Sequence, residues 1–120
     1  MIGLWVALED ATTANGCMFA APRSHEGGLL RRFVRDGDTL SFEGEPLGEA
    51  ELAKYEFEPI EVSAGDLVLL HGENIHLSRE NTSAESRHAY IVHVVEGAAG
   101  HAWSPRNWLQ RRADMPFEPL

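Results

Sequence analysis

The fold of this chain is decided by residues 65–93, GDLVLLHGENIHLSRENTSAESRHAYIVH. They read as an apolar strand, a tight polar turn ending in His76, a polar loop, and a second apolar strand that opens on Arg87. An imidazole is a common metal ligand, and a guanidinium group grips a carboxylate with two parallel hydrogen bonds. A histidine and an arginine at the ends of two strands therefore indicate a site for a metal and a small dicarboxylate.

Length, composition and charge restrict what the rest of the chain can be. Its 120 residues fit one domain, and 43% of them are hydrophobic, which allows a packed core. The 19 acidic residues against 10 basic ones give a net charge of −9, so we expect no nucleic-acid partner and no membrane partner. Cys17 is the only cysteine, which excludes an internal disulfide and favours a cytoplasmic location.

Short apolar runs separated by turn signals indicate an all-β sandwich or jelly roll. The predicted strands are residues 3–9, 17–21, 57–62, 67–71 and 87–95. Asn15-Gly16 predicts a hairpin-like reversal after the first strand, and Ser104-Pro105 predicts the start of a short helix that runs through Leu109.

The remaining segments have weaker signals. Residues 29–35 fit a strand or a short helical turn, residues 49–55 have weak helical character, and residues 115–120 read as an extended tail. The polar stretch at residues 23–28 predicts a flexible loop, and residues 36–48 predict an excursion on the surface.

Two strands are apolar on both faces. Residues 2–8 form a continuous apolar run, which is typical of a strand buried on both sides. Alternation in the last strand places Arg87, Ile91 and His93 on one face and Tyr90 on the other, and both faces are expected to be covered. Because domains seldom begin with a buried central strand, we expect the chain to be the later part of a larger domain.

Three segments resemble a known family. The pattern GDLVLLHGENIH-L-S-x-x-N-x-S-x-x-x-R resembles the distal motif of the phytanoyl-CoA dioxygenase family, which are non-haem Fe(II)/2-oxoglutarate oxygenases. WVALEDATTANGCMFAAPRSHEGG resembles that family's W-x-A-L-E-D…NGC…P-G-S-H segment. WSPRNWLQ…PF is similar to the close of one branch, the phytanoyl-CoA dioxygenase domain-containing proteins. The resemblance covers essentially the whole chain, with residues 31–55 matching less well.

The resemblance implies a fold and a set of roles. It implies a double-stranded β-helix, which is a cupin-like jelly roll, and a dioxygenase that hydroxylates a small organic or lipid-type substrate. His76 would be a metal ligand for Fe(II), as the second histidine of a two-histidine, one-carboxylate triad. Arg87 and Ser78 would bind the far carboxylate of 2-oxoglutarate, and Trp5 would line the same pocket. Ser24 and His25 match a loop near the substrate entrance, where a structural role is at least as well supported.

One element of the family pattern is absent from these 120 residues. The H-x-D that supplies the other two ligands would precede the strand of Trp5, so residues 1–120 are expected to be the C-terminal part of an N-terminally truncated domain. We expect such a chain to be inactive by itself and to associate with itself through the uncovered sheet face.

Two other functions are consistent with the residues. One is a non-catalytic cupin-like module that binds a small molecule. The other is a zinc or nickel cupin that uses His71, Glu73 and His76. These three residues lie within one tight turn, which is too short to span the mouth of a barrel, so we interpret His71 as structural and hydrogen-bonded near the turn.

Overall fold

The computed structural model describes residues 1–98 and 100–118, and its regular structure is almost entirely antiparallel β. Strands of the described part are β1 (Ile2–Ala7), β2 (Met18–Ala20), β3 (Arg32–Asp36), β4 (Thr39–Glu43), β5 (Glu58–Ile60), β6 (Leu67–His71), β7 (His76–Ser78) and β8 (Ala89–Val94). The helical segments are a 3-10 helix at Ser24–Gly27 and α1 at Glu49–Leu52. The predicted all-β jelly-roll class is confirmed.

The described residues divide into two compact units. The first comprises residues 1–28 and 47–95, and the second comprises residues 29–46 and the described part of the segment from residue 96 onward. The first unit contains two three-stranded antiparallel sheets, with strand orders β6-β1-β8 and β5-β2-β7. The second contains the β3-β4 hairpin.

Strand β1 is the centre of the first sheet and also supplies its core. Alternation turns Gly3, Trp5 and Ala7 to the buried face, where Trp5 is only 3% exposed. Trp5 and Ala7 pack with Cys17, which precedes β2, and with Met18, the first residue of β2 in the other sheet. The core of the first unit is therefore a layer between its two sheets, as a β-sandwich requires.

The outer face of the β6-β1-β8 sheet is exposed in the described residues, although the sequence predicts that it is covered. Leu67, Leu69 and Tyr90 alternate onto the face opposite Trp5, and they are 54%, 63% and 62% exposed. Residues 2–8 are thus buried on one face only, and the expectation that both faces of β1 and β8 would be covered is wrong for the described residues. Self-association through this apolar face stays a prediction.

The turn at Asn15-Gly16 forms, but it does not make a hairpin. β1 pairs with β6 and β8, whereas β2 pairs with β5 and β7. The buried Asn15 side chain accepts a hydrogen bond from Thr12 N (2.7 Å) and donates to Asp10 O (2.8 Å). These bonds close the loop on itself and carry the chain from one sheet to the other.

The second unit resolves the ambiguous segments. Residues 29–35 contain β3, and the predicted surface excursion contains the exposed strand β4. The helix predicted from Ser104 is wrong, because residues 105–108 form a turn in which Asn107 bridges to Val34 of β3. Arg35 N also donates to Arg106 O (2.9 Å), so this segment takes its hydrogen bonds from a strand.

The structure tests two further predictions only in part. Residues 119 and 120 of the predicted extended tail lie outside the described residues. In the described part of the chain, no helix has the length and apolar character needed to cross a membrane. A cytoplasmic location stays a prediction.

Candidate functional site

A cavity of about 300 Å³ lies between the two sheets of the first unit. Trp5, His76, Ser78 and Arg87, the four residues predicted for the site, all line it. They come from β1, from β7 and from the segment just before β8. Residues that are far apart in the sequence therefore converge on one space.

Arg87 provides a positive charge at one end of this cavity. Its side chain is half-buried, with Nη2 3.5 Å from Ser78 Oγ and Cζ 5.8 Å from the centre of the Trp5 ring. Among the described residues, Arg87 forms no ion pair with a carboxylate. A partly desolvated guanidinium in this state attracts an anionic ligand, and a carboxylate matches its fork of N–H donors.

The residues on both sides of Arg87 are hydrogen-bonded to Glu9. The Glu9 carboxylate accepts hydrogen bonds from His88 N (2.7 Å) and from Ser86 Oγ (2.8 Å). The backbone bond from His88, followed by the Ser86 hydroxyl, lowers the pKa of Glu9 below its ordinary value of 4.5. Ser86 O also accepts from Asn15 Nδ2 (3.2 Å). These bonds hold Arg87 at its place beside the cavity.

The structure corrects the predicted position of Arg87. β8 begins at Ala89, so Arg87 precedes the strand instead of opening it. The strand of His76 does not pair beside β8, since β7 pairs with β2 and β8 pairs with β1. His76 therefore lies in one sheet, Arg87 precedes a strand of the other sheet, and both residues line the cavity between the sheets.

His76 begins β7, and its ring orientation is set by one hydrogen bond. Nδ1 lies 2.9 Å from Asn74 O. A carbonyl oxygen can only accept, so Nδ1 carries the proton in the neutral ring and Nε2 keeps its lone pair. This arrangement is the one found in metal-binding histidines, in which the second nitrogen donates to a backbone carbonyl or a carboxylate.

A buried serine supports the turn that presents His76. Ser24 Oγ accepts from Ile75 N (2.8 Å) and from Asn74 Nδ2 (3.1 Å). Ser24 is only 7% exposed and begins the 3-10 helix, so the prediction of a flexible loop is wrong at this position. Its role is structural, which was one of the two readings of the sequence.

His71 is hydrogen-bonded near the turn as predicted, since its Nδ1 accepts from Glu73 N at 3.2 Å. It also lines the cavity, together with His93. The sequence reasoning assigned neither histidine to the cavity. For His93 a signal was present, because alternation put it on the same face as Arg87 and Ile91.

The donor set fits a carboxylate better than it fits a metal. Arg87 and Ser78 present donors at one end of the cavity, which suits a carboxylate. Within the described ranges, no three His, Cys, Asp or Glu side chains are grouped to hold a metal ion. His76 can thus supply one ligand to iron, and the zinc or nickel set of His71, Glu73 and His76 is not formed.

Comparison with known proteins extends over the whole chain. A family model described as phytanoyl-CoA dioxygenase (PhyH) matches residues 1–89. A phytanoyl-CoA dioxygenase of Arabidopsis thaliana is 50% identical over 118 residues, which are 98% of this chain and 40% of that protein. Phytanoyl-CoA dioxygenase domain-containing protein 1 of Mus musculus is 46% identical over 125 residues, covering 100% of this chain and 41% of that protein. The chain thus spans about 40% of the length of these relatives.

Proposed function

The chain belongs to the phytanoyl-CoA dioxygenase family, and from this membership we propose that its cavity is part of an Fe(II)/2-oxoglutarate-dependent dioxygenase site. Iron and 2-oxoglutarate, when bound, supply the oxidising chemistry that hydroxylates a small organic or lipid-type substrate. The residues of this chain bind and position: Arg87 and Ser78 hold the far carboxylate of 2-oxoglutarate, Trp5 forms the wall beside them, and His76 offers one metal ligand through Nε2.

The state of Arg87 is the observation that carries this proposal. A surface salt bridge is the ordinary role of an arginine, and it needs a carboxylate within about 4 Å. Arg87 instead is half-buried, faces Ser78 and Trp5, and has no such partner among the described residues. Its charge is best satisfied by an acid that enters the cavity.

Binding of 2-oxoglutarate, measured by calorimetry on the whole chain, tests this assignment. Arg87→Lys keeps the charge but removes the planar fork, so we expect binding about tenfold weaker or worse. Ser78→Ala should weaken binding up to about tenfold, which is the loss of one hydrogen bond. Arg79→Lys is the matched control, because Arg79 stacks on Phe19 (4.9 Å to the ring centre) and does not line the cavity.

Two results would contradict the assignment. One is the absence of measurable 2-oxoglutarate binding at millimolar concentration. The other is equal weakening by Arg79→Lys and Arg87→Lys, which would show that the loss does not depend on a guanidinium group placed at the cavity.

A cupin-like module that binds a small acid without turnover is the second candidate. The number of metal ligands favours this candidate, because no two further ligands are grouped beside His76 among the described residues. Incubation with Fe(II), ascorbate and 2-oxoglutarate separates the two functions. Succinate formation that is lost in His76→Ala supports the oxygenase, whereas 2-oxoglutarate binding with no succinate supports the module.

A further inference from the structure

We propose that Glu9 is a positioning residue for the binding of 2-oxoglutarate, because its carboxylate fixes the segment that carries Arg87. The inference rests on the proposed function, in which Arg87 holds the far carboxylate of 2-oxoglutarate. Glu9 follows β1, the strand that also places Trp5 at the wall of the cavity. One strand and its extension therefore supply both the wall of the cavity and the acceptor that anchors the arginine beside it.

Strands β1 and β8 stop pairing where Glu9 takes over one of their hydrogen bonds. Their register ends with Ala7 opposite Ala89, and Leu8 N still donates to His88 O (3.0 Å). In an antiparallel pair His88 N would return the bond to the backbone of Leu8. It donates instead to the Glu9 carboxylate (2.7 Å). The side chain of Glu9 thus sets the path of the chain immediately before β8.

The Glu9 carboxylate accepts hydrogen bonds from both neighbours of Arg87. His88 Nδ1 donates to it at 3.0 Å, and Ser86 Oγ lies 2.8 Å from Oε1 and 2.9 Å from Oε2. The lowered pKa of Glu9, caused mainly by the backbone bond from His88, keeps the carboxylate ionised at neutral pH. Bonds to an ionised acceptor are stronger than those between neutral groups. Glu9 therefore orders the segment on both sides of Arg87 through neighbouring donors, and the guanidinium faces Ser78 and Trp5.

The negative charge of Glu9 makes positioning distinguishable from a direct electrostatic effect. A carboxylate near a cationic site repels an anionic ligand, so its removal would strengthen the binding of 2-oxoglutarate if Glu9 acted only through its field. If Glu9 positions Arg87, its removal weakens binding, because the ligand must then order the arginine itself. The two roles predict changes of opposite sign.

Calorimetry of 2-oxoglutarate binding to the whole chain measures this sign. We expect Glu9→Ala to bind about three- to tenfold more weakly than the wild type, which corresponds to the ordering of one long side chain. Glu9→Gln keeps an acceptor for His88 N but loses the charge, so its affinity should lie between the two. Glu61→Ala is the matched control, because Glu61 also accepts from a backbone N–H, Thr13 N (2.7 Å), and does not line the cavity. It should bind as tightly as the wild type or more tightly.

Ser86→Ala is a second variant, and it changes no charge. It removes the hydroxyl that bonds both oxygens of Glu9 and leaves the bonds from His88 in place. We expect 2-oxoglutarate to bind about two- to threefold more weakly. Wild-type affinity in both Ser86→Ala and Glu9→Gln would overturn the proposal.

The proton signals of two arginines separate local positioning from a general loss of stability. Arg87 Cζ lies 5.8 Å from the centre of the Trp5 ring, and Arg79 Cζ lies 4.9 Å from the centre of the Phe19 ring. Each ring shifts the resonances of the side-chain protons near it. In NMR spectra without ligand, we expect Glu9→Ala to move the Arg87 signals toward their random-coil positions and to leave those of Arg79 in place. Equal movement of both sets would contradict positioning.

The proposed function and this inference fail in different ways. Binding of 2-oxoglutarate that is weakened by Arg87→Lys, but is unchanged or tighter in Glu9→Ala, overturns only the role of Glu9. Absence of 2-oxoglutarate binding by the wild type overturns the proposed function, and the role of Glu9 with it, even if Glu9→Ala still moves the Arg87 signals.

Discussion

Replacing Asn15 by alanine should destabilise the first unit more than its position in a surface turn indicates. Asn15 is 7% exposed, and its side chain makes three hydrogen bonds with backbone atoms: from Thr12 N (2.7 Å), to Asp10 O (2.8 Å) and to Ser86 O (3.2 Å). Each contributes about 0.5–1.5 kcal/mol net, so we expect Asn15→Ala to lower the free energy of unfolding by roughly 2–4 kcal/mol. Urea unfolding with linear extrapolation measures this loss.

A second substitution and a control identify the cause. Asn15→Asp keeps the acceptor for Thr12 N but turns a carboxylate oxygen toward two carbonyls, so its loss should be at least as large. Asn81→Ala is the control: Asn81 also bonds Glu85 O (2.7 Å) and Ser83 N (2.9 Å), but it is exposed and its contacts are local, and we expect less than about 1 kcal/mol. A loss below about 0.5 kcal/mol for Asn15→Ala, or a stable Asn15→Asp, would refute this reasoning.

Three further outcomes are expected. Because the folded-state pKa of Glu9 is lowered, its contribution to stability should be complete above the ordinary pKa of 4.5 and should be lost as the pH falls through the lowered pKa. As the pH is reduced from about 7 to about 3, the urea midpoint of Glu9→Gln should therefore fall less steeply than that of the wild type. Ser24→Ala leaves the part-buried N–H of Ile75 without its acceptor and should lower the free energy of unfolding in urea by about 1–3 kcal/mol; Ser24→Thr, which keeps the hydroxyl, should lower it less. Gly16→Ala, at φ +82° with a Cβ only 2.9 Å from a backbone carbonyl, should lower the melting temperature more than Gly37→Ala, at φ +59° in open space; equal shifts would contradict the steric argument.

The sequence predicted the strands well where the signal was local. β8 follows from a run of β-branched and aromatic residues. β5 contains Pro59, which has no N–H to donate to a second neighbour, and it lies at the edge of its sheet. Asn15-Gly16 did predict a turn. It could not show which strands pair across it, because that choice depends on β6 and β8, which come much later in the chain.

Signals that serve two structures explain the other errors. Ser104-Pro105 suits a helix start and also a turn, and the bridge from Asn107 to Val34 selects the turn. Alternation also cannot predict whether a sheet face is covered. It shows which face Tyr90 is on, but not what lies over that face.

The candidate site was predicted in part for the same reason. The family resemblance and the alternation together placed Trp5, His76, Ser78 and Arg87 in one site, and the structure brings them around one cavity. The donor state of His71 depends on a single backbone N–H, and the position of His93 depends on its register with Gly3. Alternation indicates the face of His93, but neither the proton position of His71 nor the register of His93 with Gly3 can be read from a pattern along the chain.

The central position of β1 has a consequence for how fast the chain folds. Leu4 pairs with Leu69 on one side and with Val92 on the other, so both partners lie more than sixty residues away in the sequence. Domains dominated by such distant pairings fold in milliseconds to seconds, because long loops must close before any contact forms. During that interval β1 is an unpaired apolar strand, which can associate with other chains. The strand that supports both the core and the cavity is therefore also the segment most exposed to misassembly, and refolding yield should fall as protein concentration rises.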